Sequence, residues 1–250
     1  MEARFAILGD VHANLEALQA VLEDARSQSV TGFYCLGDVV GYNANPQECI
    51  DIIREIDAVT ICGNHDYYCS HAKSLEDFQP HAAAVIDWTR RQLNQPSVKW
   101  LSELPMSRTL FPYSMTLVHG TLDAPELWGY VFDTIDAEAH FTYQQTAVCF
   151  HGHTHVPVVF EKRGGDVSRY PAPPSGTRVS LASVGHKYFI NVGSVGQPRD
   201  EIPQSSYLIF EPRSRIIEFR RVDYDIETAA DKVRRAGLPS RLADRLLVGR

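Results

Sequence analysis

Residues 4–12 read Arg-Phe-Ala-Ile-Leu-Gly-Asp-Val-His, an apolar run that ends in a glycine and two polar side chains. The apolar residues 4–8 predict a buried β-strand, and residues 14–28 carry apolar side chains at helical spacing. A helix directly after a buried strand favours an α/β fold, because the helix carries the chain back to where a parallel strand can begin.

The first third of the chain repeats this alternation. Strands are predicted over residues 32–36 and 58–62, and a helix over residues 46–56 with Asn45 as its N-cap and Pro46 at its first position. We therefore expect three parallel strands joined by right-handed crossovers.

The remaining residues predict one helical region followed by short strands. Residues 79–104 have a mostly helical pattern, and residues 163–176 indicate an exposed loop, because Pro and Gly are frequent there. Further strands are expected at 115–119, 147–151, 156–161, 178–183, 187–192, 206–211 and 216–222, and tail helices at 227–236 and from Ser240. We expect one domain over residues 1–250, with a lid-like helical insertion around residues 67–104.

Composition limits the classes of partner. The 250 residues carry a formal net charge of −7 without a Lys/Arg-rich run, so neither duplex nucleic acid nor a membrane surface is an expected partner. No run approaches the roughly 18 apolar residues of a membrane span, and the first residues do not resemble a signal peptide. The five cysteines form no CxxC pair and predict buried, reduced thiols. These features favour a cytoplasmic protein.

Side chains of metal-binding type, with adjacent glycines, follow five of the predicted strands. They are Asp10 and His12, Asp38, Asn64 with His65, His119, and the pair His153 and His155. Because ligands bind beyond the carboxyl ends of parallel strands, we expect these groups to meet in one crevice. Each motif alone could be a turn, since Gly, Asn and Asp are common turn residues. Five of them in this order indicate a metal site.

The mixture of donors indicates which ions would bind. Asp, Asn and His offer oxygen and nitrogen without thiolate, which suits Mn, Fe, Zn or Ni. Two divalent ions about 3.5–4 Å apart can hold a hydroxide at neutral pH and neutralise a phosphoryl group during its in-line displacement. The sequence therefore predicts a phosphate ester hydrolase with two divalent metal ions as its cofactor.

The motifs resemble the signature of the calcineurin-like metallophosphoesterases. The matching segments are Asp10-Val-His12, Gly37-Asp38-x-x-Gly41, Gly63-Asn64-His65-Asp66, His119 and Gly152-His153-Thr154-His155. This resemblance spans about residues 4–199 and implies an α/β four-layer αββα sandwich, two mixed β-sheets flanked by helices. Segments 41–46, 191–200 and 236–239 further resemble the bacterial and archaeal phosphodiesterase branch, often labelled diadenosine-tetraphosphatase-like.

The resemblance implies a role for each matched residue. The first ion would be bound by Asp10, His12, Asp38 and His155, and the second by Asp38, Asn64, His119 and His153. Asp38 would bridge the two ions. His65 would contact the phosphate and protonate the leaving oxygen, a role that a pKa near the ordinary histidine value of about 6.5 suits, although nearby cations would lower it.

Departures from the family pattern narrow the substrate. Gly41 and Tyr42 stand where the protein Ser/Thr phosphatase branch has Asp-Arg, which weighs against a phosphoprotein. The resemblance instead implies a small-molecule phosphodiester or nucleotide-type phosphate ester. Asn14, Asn43 and Arg199 are candidates for substrate contact, although an N-cap or a salt bridge equally explains the first and the last. A catalytically silent scaffold, a phosphomonoesterase and a homodimer stay open.

Overall fold

The computed structural model describes residues 2–71, 73–76 and 80–250, with the backbone alone for residues 80 and 81. No described helix combines the length and the apolar surface that crossing a lipid bilayer requires. The cysteines are buried and unbridged, as predicted: Cys35, Cys49, Cys62, Cys69 and Cys149.

The strands and helices of the described residues alternate early and separate later. The strands are β1 (Phe5–Leu8), β2 (Gly32–Cys35), β3 (Val59–Thr60), β4 (Ser107–Leu110), β5 (Met115–Val118), β6 (Val148–His151), β7 (Val158–Arg163), β8 (Asp166–Pro171), β9 (Arg178–Ser180), β10 (His186–Asn191), β11 (Ser205–Glu211) and β12 (Ile216–Val222). The helices are α1 (Leu15–Ser27), α2 (Pro46–Glu55), α3 (Asn64–Ser70), α4 (Pro80–Gln92), α5 (Gln95–Ser102), α6 (Thr134–Phe141), α7 (Ile226–Arg235) and α8 (Ser240–Val248).

The strands form two six-stranded mixed sheets. Sheet 1 has the order β3-β2-β1-β11-β12-β9, and sheet 2 has the order β4-β5-β6-β10-β7-β8. In sheet 1 the strands β1, β2 and β3 are parallel, and in sheet 2 the strands β5, β6 and β10 are parallel. Each sheet therefore has three parallel strands whose carboxyl ends lie at one edge, where loops can deliver side chains to a common site.

The two sheets enclose one of two large apolar clusters, and the other lies under the helices of sheet 1. In β1, Phe5 and Ile7 belong to the buried cluster between the sheets, whereas Ala6 and Leu8 belong to the cluster under the helices of sheet 1. This alternation follows from the two-residue period of a strand, and it buries both faces of β1. Each fully buried large side chain contributes roughly 1.5–3 kcal/mol to stability.

Helices cover the outer face of each sheet. In α1, Leu18, Val21 and Leu22 pack on sheet 1, and the helix begins after Asn14, whose Oδ1 accepts the N–H of Ala17. On the other side, α6 covers sheet 2 through a cluster of buried residues from the helix and from β6, β7 and β10. The layers are helix, sheet, sheet and helix, so the predicted αββα sandwich is confirmed.

Several predicted boundaries need correction. The predicted loop over residues 163–176 is wrong, because β8 pairs with β7 as an antiparallel edge strand from Asp166 to Pro171. The helical region 79–104 is two helices, since Asn94 caps α5 by accepting the N–H of Ser97 and ends the continuity with α4. Residue 79 lies outside the described residues. The single-domain and lid-like assignments stay predictions.

Candidate metal centre

The predicted donor side chains follow the parallel strands of both sheets. Asp10 and His12 follow β1, Asp38 follows β2, Asn64 begins α3 after β3, His119 follows β5, and His153 and His155 follow β6. Asn64 is half-buried and the other six are buried. The structure therefore brings together all seven residues that the sequence nominated as metal ligands.

A first group of donors consists of Asp10, His12 and His155, whose ligand atoms lie within 4.8 Å of one another. The Oδ1 atom of Asp10 lies 3.3 Å from Nε2 of His155 and 3.9 Å from Nε2 of His12. The two Nε2 atoms are 3.0 Å apart. One carboxylate and two imidazoles that converge in this way can hold a divalent ion of borderline hardness.

A second group lies beside the first and contains Asp38, His119 and His153. The Nε2 atom of His119 is 3.4 Å from Oδ2 of Asp38 and 3.1 Å from Nδ1 of His153. The same Nε2 atom is 3.2 Å from Oδ1 of Asn64. This group can therefore offer two nitrogen and two oxygen donors to one ion.

Asp38 connects the two groups. Its Oδ2 atom lies 3.6 Å from Nε2 of His12 and 3.4 Å from Nε2 of His119, so one carboxylate faces both. Its Oδ1 atom accepts the backbone N–H of His65 at 2.8 Å, which fixes the orientation of the carboxylate. A carboxylate placed in this way suits a pair of neighbouring cations, and the donor set fits such a pair.

Backbone carbonyls orient the imidazoles from behind. The Nδ1 atoms of His12, His119 and His155 donate to the carbonyls of Val40, Leu36 and Gln197 at 3.1, 2.8 and 2.6 Å. His153 is reversed, since its Nε2 atom donates to the carbonyl of Trp128 at 2.9 Å and its Nδ1 atom points into the centre. These bonds select the tautomer whose free nitrogen faces the ion, as metal-binding histidines require.

Five of the seven donors have left-handed backbone conformations. The φ angles are 53° at Asp10, 48° at His12, 51° at Asp38, 68° at His153 and 62° at His155. Such angles are uncommon for residues with a Cβ atom and cost of order 1–3 kcal/mol each. They persist only where the surrounding structure fixes them, so this concentration of strain marks the strand ends as a functional site.

Two glycines leave room for the carboxylates. A Cβ atom at position 63 would lie 2.2 Å from Oδ1 of Asp38, and a Cβ atom at position 152 would lie 2.3 Å from Oδ2 of Asp10. Both distances are far below contact distance, so any other residue at Gly63 or Gly152 would displace a carboxylate.

The protonation states nearly match those of a metal site. Burial raises the pKa of Asp38, but His119 and the other histidines reverse this effect and hold the pKa well below its ordinary value. Burial lowers the pKa of His153 to about 3. Burial also lowers the pKa of His119, but the Asp38 carboxylate outweighs it and raises the value to about 9. An ion bound at Nε2 of His119 would therefore displace this proton.

His65 lies next to the donors but faces them edge-on. Its ring centroid is 4.9 Å from that of His12 and 4.4 Å from that of Tyr42. Its Nδ1 atom is buried and has no hydrogen-bond partner within the described chain. Burial lowers the pKa of His65 to about 4, although Asp38 opposes the shift. This enclosure, with 3% of the residue's surface exposed, favours the neutral imidazole.

Asp66 has a supporting role that sequence reasoning missed. Its carboxylate accepts the N–H groups of Val40 and Gly63 at 3.2 and 3.1 Å, and thereby ties the loops after β2 and β3 together. Burial and the neighbouring Asp38 raise the pKa of Asp66 to about 7. Its position three residues after Gly63, at the start of a helix, is the sequence signal of a capping carboxylate.

The three candidates for substrate contact line the loops near the centre. Asn14 donates to the carbonyl of Gly196 at 2.9 Å, and Asn43 donates to the carbonyl of His12 at 2.8 Å. Arg199 donates from Nε and Nη2 to Oε1 of Gln197, and its guanidinium lies 5.5 Å from the ring centroid of Tyr42. The asparagines therefore support the loops, whereas Arg199 retains further N–H donors.

Two mixed sheets that present aspartate and histidine donors at one seam define a metal-binding phosphoesterase fold. Residues 3–215 match the calcineurin-like phosphoesterase superfamily domain, and the chain belongs to that family. The resemblance seen in the motifs is therefore confirmed.

Individual relatives match the chain over all or nearly all of its length. The chain is 37% identical over 253 residues to an uncharacterized protein of Methanocaldococcus jannaschii, with 100% of both chains covered. It is similar to the crystal structure of a metallophosphoesterase from Sphaerobacter thermophilus, with a TM-score of 0.88, 38% identity and 100% of both chains covered. A hypothetical protein from Pyrococcus horikoshii shares the fold, with a TM-score of 0.81, 18% identity and 99% of both chains covered.

Proposed function

We propose that this protein hydrolyses a phosphodiester or nucleotide-type phosphate ester with the help of two divalent ions. The observation that carries the proposal is the position of Asp38, whose Oδ2 atom faces both donor groups at 3.4 and 3.6 Å. When bound, the two ions would supply a hydroxide nucleophile at neutral pH and neutralise the charge of the phosphoryl oxygens.

The proposed ligands divide between the two ions as the donor groups divide. Asp10, His12 and His155 would bind the first ion, His119, His153 and Asn64 the second, and Asp38 both. Oxygen and nitrogen donors without thiolate support Mn, Fe, Zn or Ni as the ions.

His65 is the proposed catalytic partner of Asp38. Its backbone N–H already bonds to the carboxylate of Asp38, and its ring lies beside His12, so it reaches the same space as the substrate phosphate. With its pKa lowered, the imidazole is neutral near pH 7 and can donate one N–H hydrogen bond to a phosphoryl or leaving oxygen. This contact would stabilise the charge that develops on that oxygen.

Arg199, Asn14 and Asn43 are the proposed substrate-binding residues. The guanidinium of Arg199 lies over Tyr42, whose ring also contacts His12 and His65, and this places a cation at the rim of the centre. Asn14 and Asn43 would act by holding the Gly196 and His12 carbonyls, so that the loops around the phosphate keep their shape.

The first test is hydrolysis of bis-p-nitrophenyl phosphate and p-nitrophenyl phosphate by metal-stripped protein. Manganese, zinc, nickel or magnesium is added back singly. We expect metal-dependent turnover that favours the diester. A preference for the monoester would replace the diester assignment with a phosphomonoesterase. No turnover by protein shown to bind two ions would point to a narrow natural substrate or to a scaffold.

A matched pair of variants tests the site itself. His153→Ala should lose metal and nearly all turnover, because its Nδ1 atom belongs to the second donor group. His151→Ala removes a buried histidine two residues away whose ring stacks on Phe189 instead, so it should retain metal. Equal metal loss in both variants would contradict the proposed assignment.

A further inference from the structure

The segment from β5 into the first turn of α6 exposes four large apolar side chains. Leu127, Tyr130, Phe132 and Ile135 have 75%, 51%, 60% and 77% of their surface exposed. Val131, between the two aromatic residues, is buried under α6 with 2% exposed. The chain therefore directs alternate side chains outward here, and exposed apolar groups that cluster in this way mark a binding surface.

The two aromatic rings continue directly from the candidate metal centre. The ring of Tyr130 stacks on that of His153, with centroids 4.0 Å apart and planes inclined by 23°. The ring of Phe132 is nearly parallel to that of Tyr130, with centroids 5.5 Å apart and planes inclined by 6°. His153, Tyr130 and Phe132 thus form an aromatic row that begins at a metal-binding nitrogen and ends in solvent.

Hydrogen bonds hold the aromatic row in place at both ends. The carbonyl of Trp128 accepts the Nε2 proton of His153 at 2.9 Å, and the N–H of Phe132 donates to Oδ2 of Asp136 at 3.0 Å. The first ring and the backbone at the last ring are therefore anchored before a ligand arrives, which lowers the entropic cost of binding.

We propose that Tyr130 and Phe132 form a stacking surface for a planar aromatic group of the substrate, a nucleobase linked to the phosphate that reacts at the metal centre. This inference rests on the proposed function and names the part of the substrate that is not hydrolysed. Parallel, exposed rings favour a flat partner over a branched apolar one, because stacking needs a second π-face. Stacking of one base on aromatic side chains strengthens binding by about five- to hundred-fold.

The test compares two phosphodiesters with the same leaving group. They are thymidine 5′-(p-nitrophenyl phosphate), which carries a nucleobase, and ethyl p-nitrophenyl phosphate, which does not. We expect manganese-loaded protein to show a kcat/KM for the nucleoside ester that is about five- to hundred-fold higher. Phe132→Leu and Tyr130→Leu should bring this ratio close to one, whereas Phe132→Trp should preserve it.

Phe111→Leu is the matched control. Phe111 is also exposed, at 70%, but it precedes β5 and so lies at the opposite end of sheet 2 from the donors. Its replacement should leave the ratio unchanged. Equal kcat/KM values for both esters, or an equal loss in the Phe111 variant, would overturn the proposal.

A binding measurement separates this inference from the proposed function. Calorimetry on manganese-loaded protein compares adenosine 5′-monophosphate with ribose 5-phosphate, which differ only in the base. If wild-type protein binds the adenosine compound more tightly and Phe132→Leu abolishes this preference, the stacking surface is supported even without turnover. Equal binding of both, together with a wild-type dimer that Phe132→Leu dissociates in light scattering, would instead assign the surface to a second copy of the chain and refute the proposal.

Discussion

Two regions of this protein bury histidines, and they use them in opposite ways. At the candidate metal centre, His12, His119 and His155 have ring nitrogens within 3.9 Å of the carboxylates of Asp10 or Asp38. Between α6 and sheet 2, His140 of the helix and His151 of β6 stack on Phe189, with ring centroids 3.4 and 3.8 Å from it. The first arrangement suits the binding of ions, and the second packs α6 against sheet 2.

The direction of the chain after β6 separates the two uses. His151 is the last residue of β6, and its side chain faces Phe189 on the α6 side. His153 follows with a left-handed φ of 68°, and its Nδ1 atom points to His119 on the other side. Residues two apart would share a face in a regular strand, so the turn rather than the spacing makes His153 a donor.

We expect the largest loss of activity from removing the Asp38 carboxylate, since carboxylates of the described residues face the histidines of the candidate metal centre but not those that stack on Phe189. Asp38→Asn should reduce turnover to below about 0.1% of wild type and cause loss of bound metal, because the shared anion disappears. Turnover of bis-p-nitrophenyl phosphate and elemental analysis measure both. Asp57→Asn is the control, since Asp57 is exposed and has a similar φ of 51°. Metal retention in the Asp38 variant would show that the other proposed donors hold the ions without a shared carboxylate.

Replacement of His65 tests whether every histidine of the candidate metal centre is a metal ligand. His65→Gln should retain metal but lose turnover by about 100-fold, the scale expected for a group that assists proton or charge transfer. His71→Gln, a half-buried histidine at the end of α3, should behave as wild type. Loss of metal with His65 would make it a ligand instead.

Replacement of Gly41 tests how precisely the ring of His65 must be positioned. A Cβ atom there would lie 2.3 Å from Nδ1 of His65, so Gly41→Ala should push the ring away and reduce turnover by about tenfold. Gly164→Ala is the control for backbone strain, because it also has a positive φ, 59°, but nothing lies within 4 Å of the added atom. Equal activity of the two variants would show that the ring of His65 tolerates displacement.

His140 gives the smallest effect and concerns stability. Burial lowers its pKa to about 3, below the ordinary value of about 6.5, so the unfolded chain binds the proton first as the pH falls. The stabilising contribution of neutral His140 is complete above pH 6.5 and is lost as the pH falls toward 3, by up to about 1.4 kcal/mol per pH unit.

The comparison of interest is His140→Gln with wild type, both in EDTA. We expect the unfolding free energy, measured with urea between pH 6.5 and 4, to fall less steeply with pH in the variant than in wild type. The difference between the two slopes should correspond to about one bound proton. His71→Gln serves as a second reference. Parallel curves for all three proteins would mean that His140 is solvated as the pH falls.

The sequence predicted the parallel strands well because their hydrophobic pattern is set by burial on both faces. It failed at β8, where the side chains from Asp166 to Pro171 are mostly exposed and the strand pairs only with β7. An edge strand without a buried face has no alternation to read. It also failed at α6, where the buried face includes His140 and Ile135 is exposed.

The convergence of the candidate donors was predictable because each of them comes shortly after a strand. The stacking of Tyr130 on His153 was not, because these residues come from separate loops that only the folded sheet brings together. The same reason hid the tie that Asp66 makes between the loops after β2 and β3.

The division of the candidate donors between the two sheets has a consequence for the stability of the protein. Asp10, His12, Asp38 and Asn64 extend from sheet 1, whereas His119, His153 and His155 extend from sheet 2. Ions bound among them would connect the two sheets at the open edge of the core between them. Anything that binds the folded state alone stabilises it by mass action. Metal-free protein would therefore lose this connection between the sheets as well as its activity. We expect it to be cleaved by proteases more readily than the metal-bound protein.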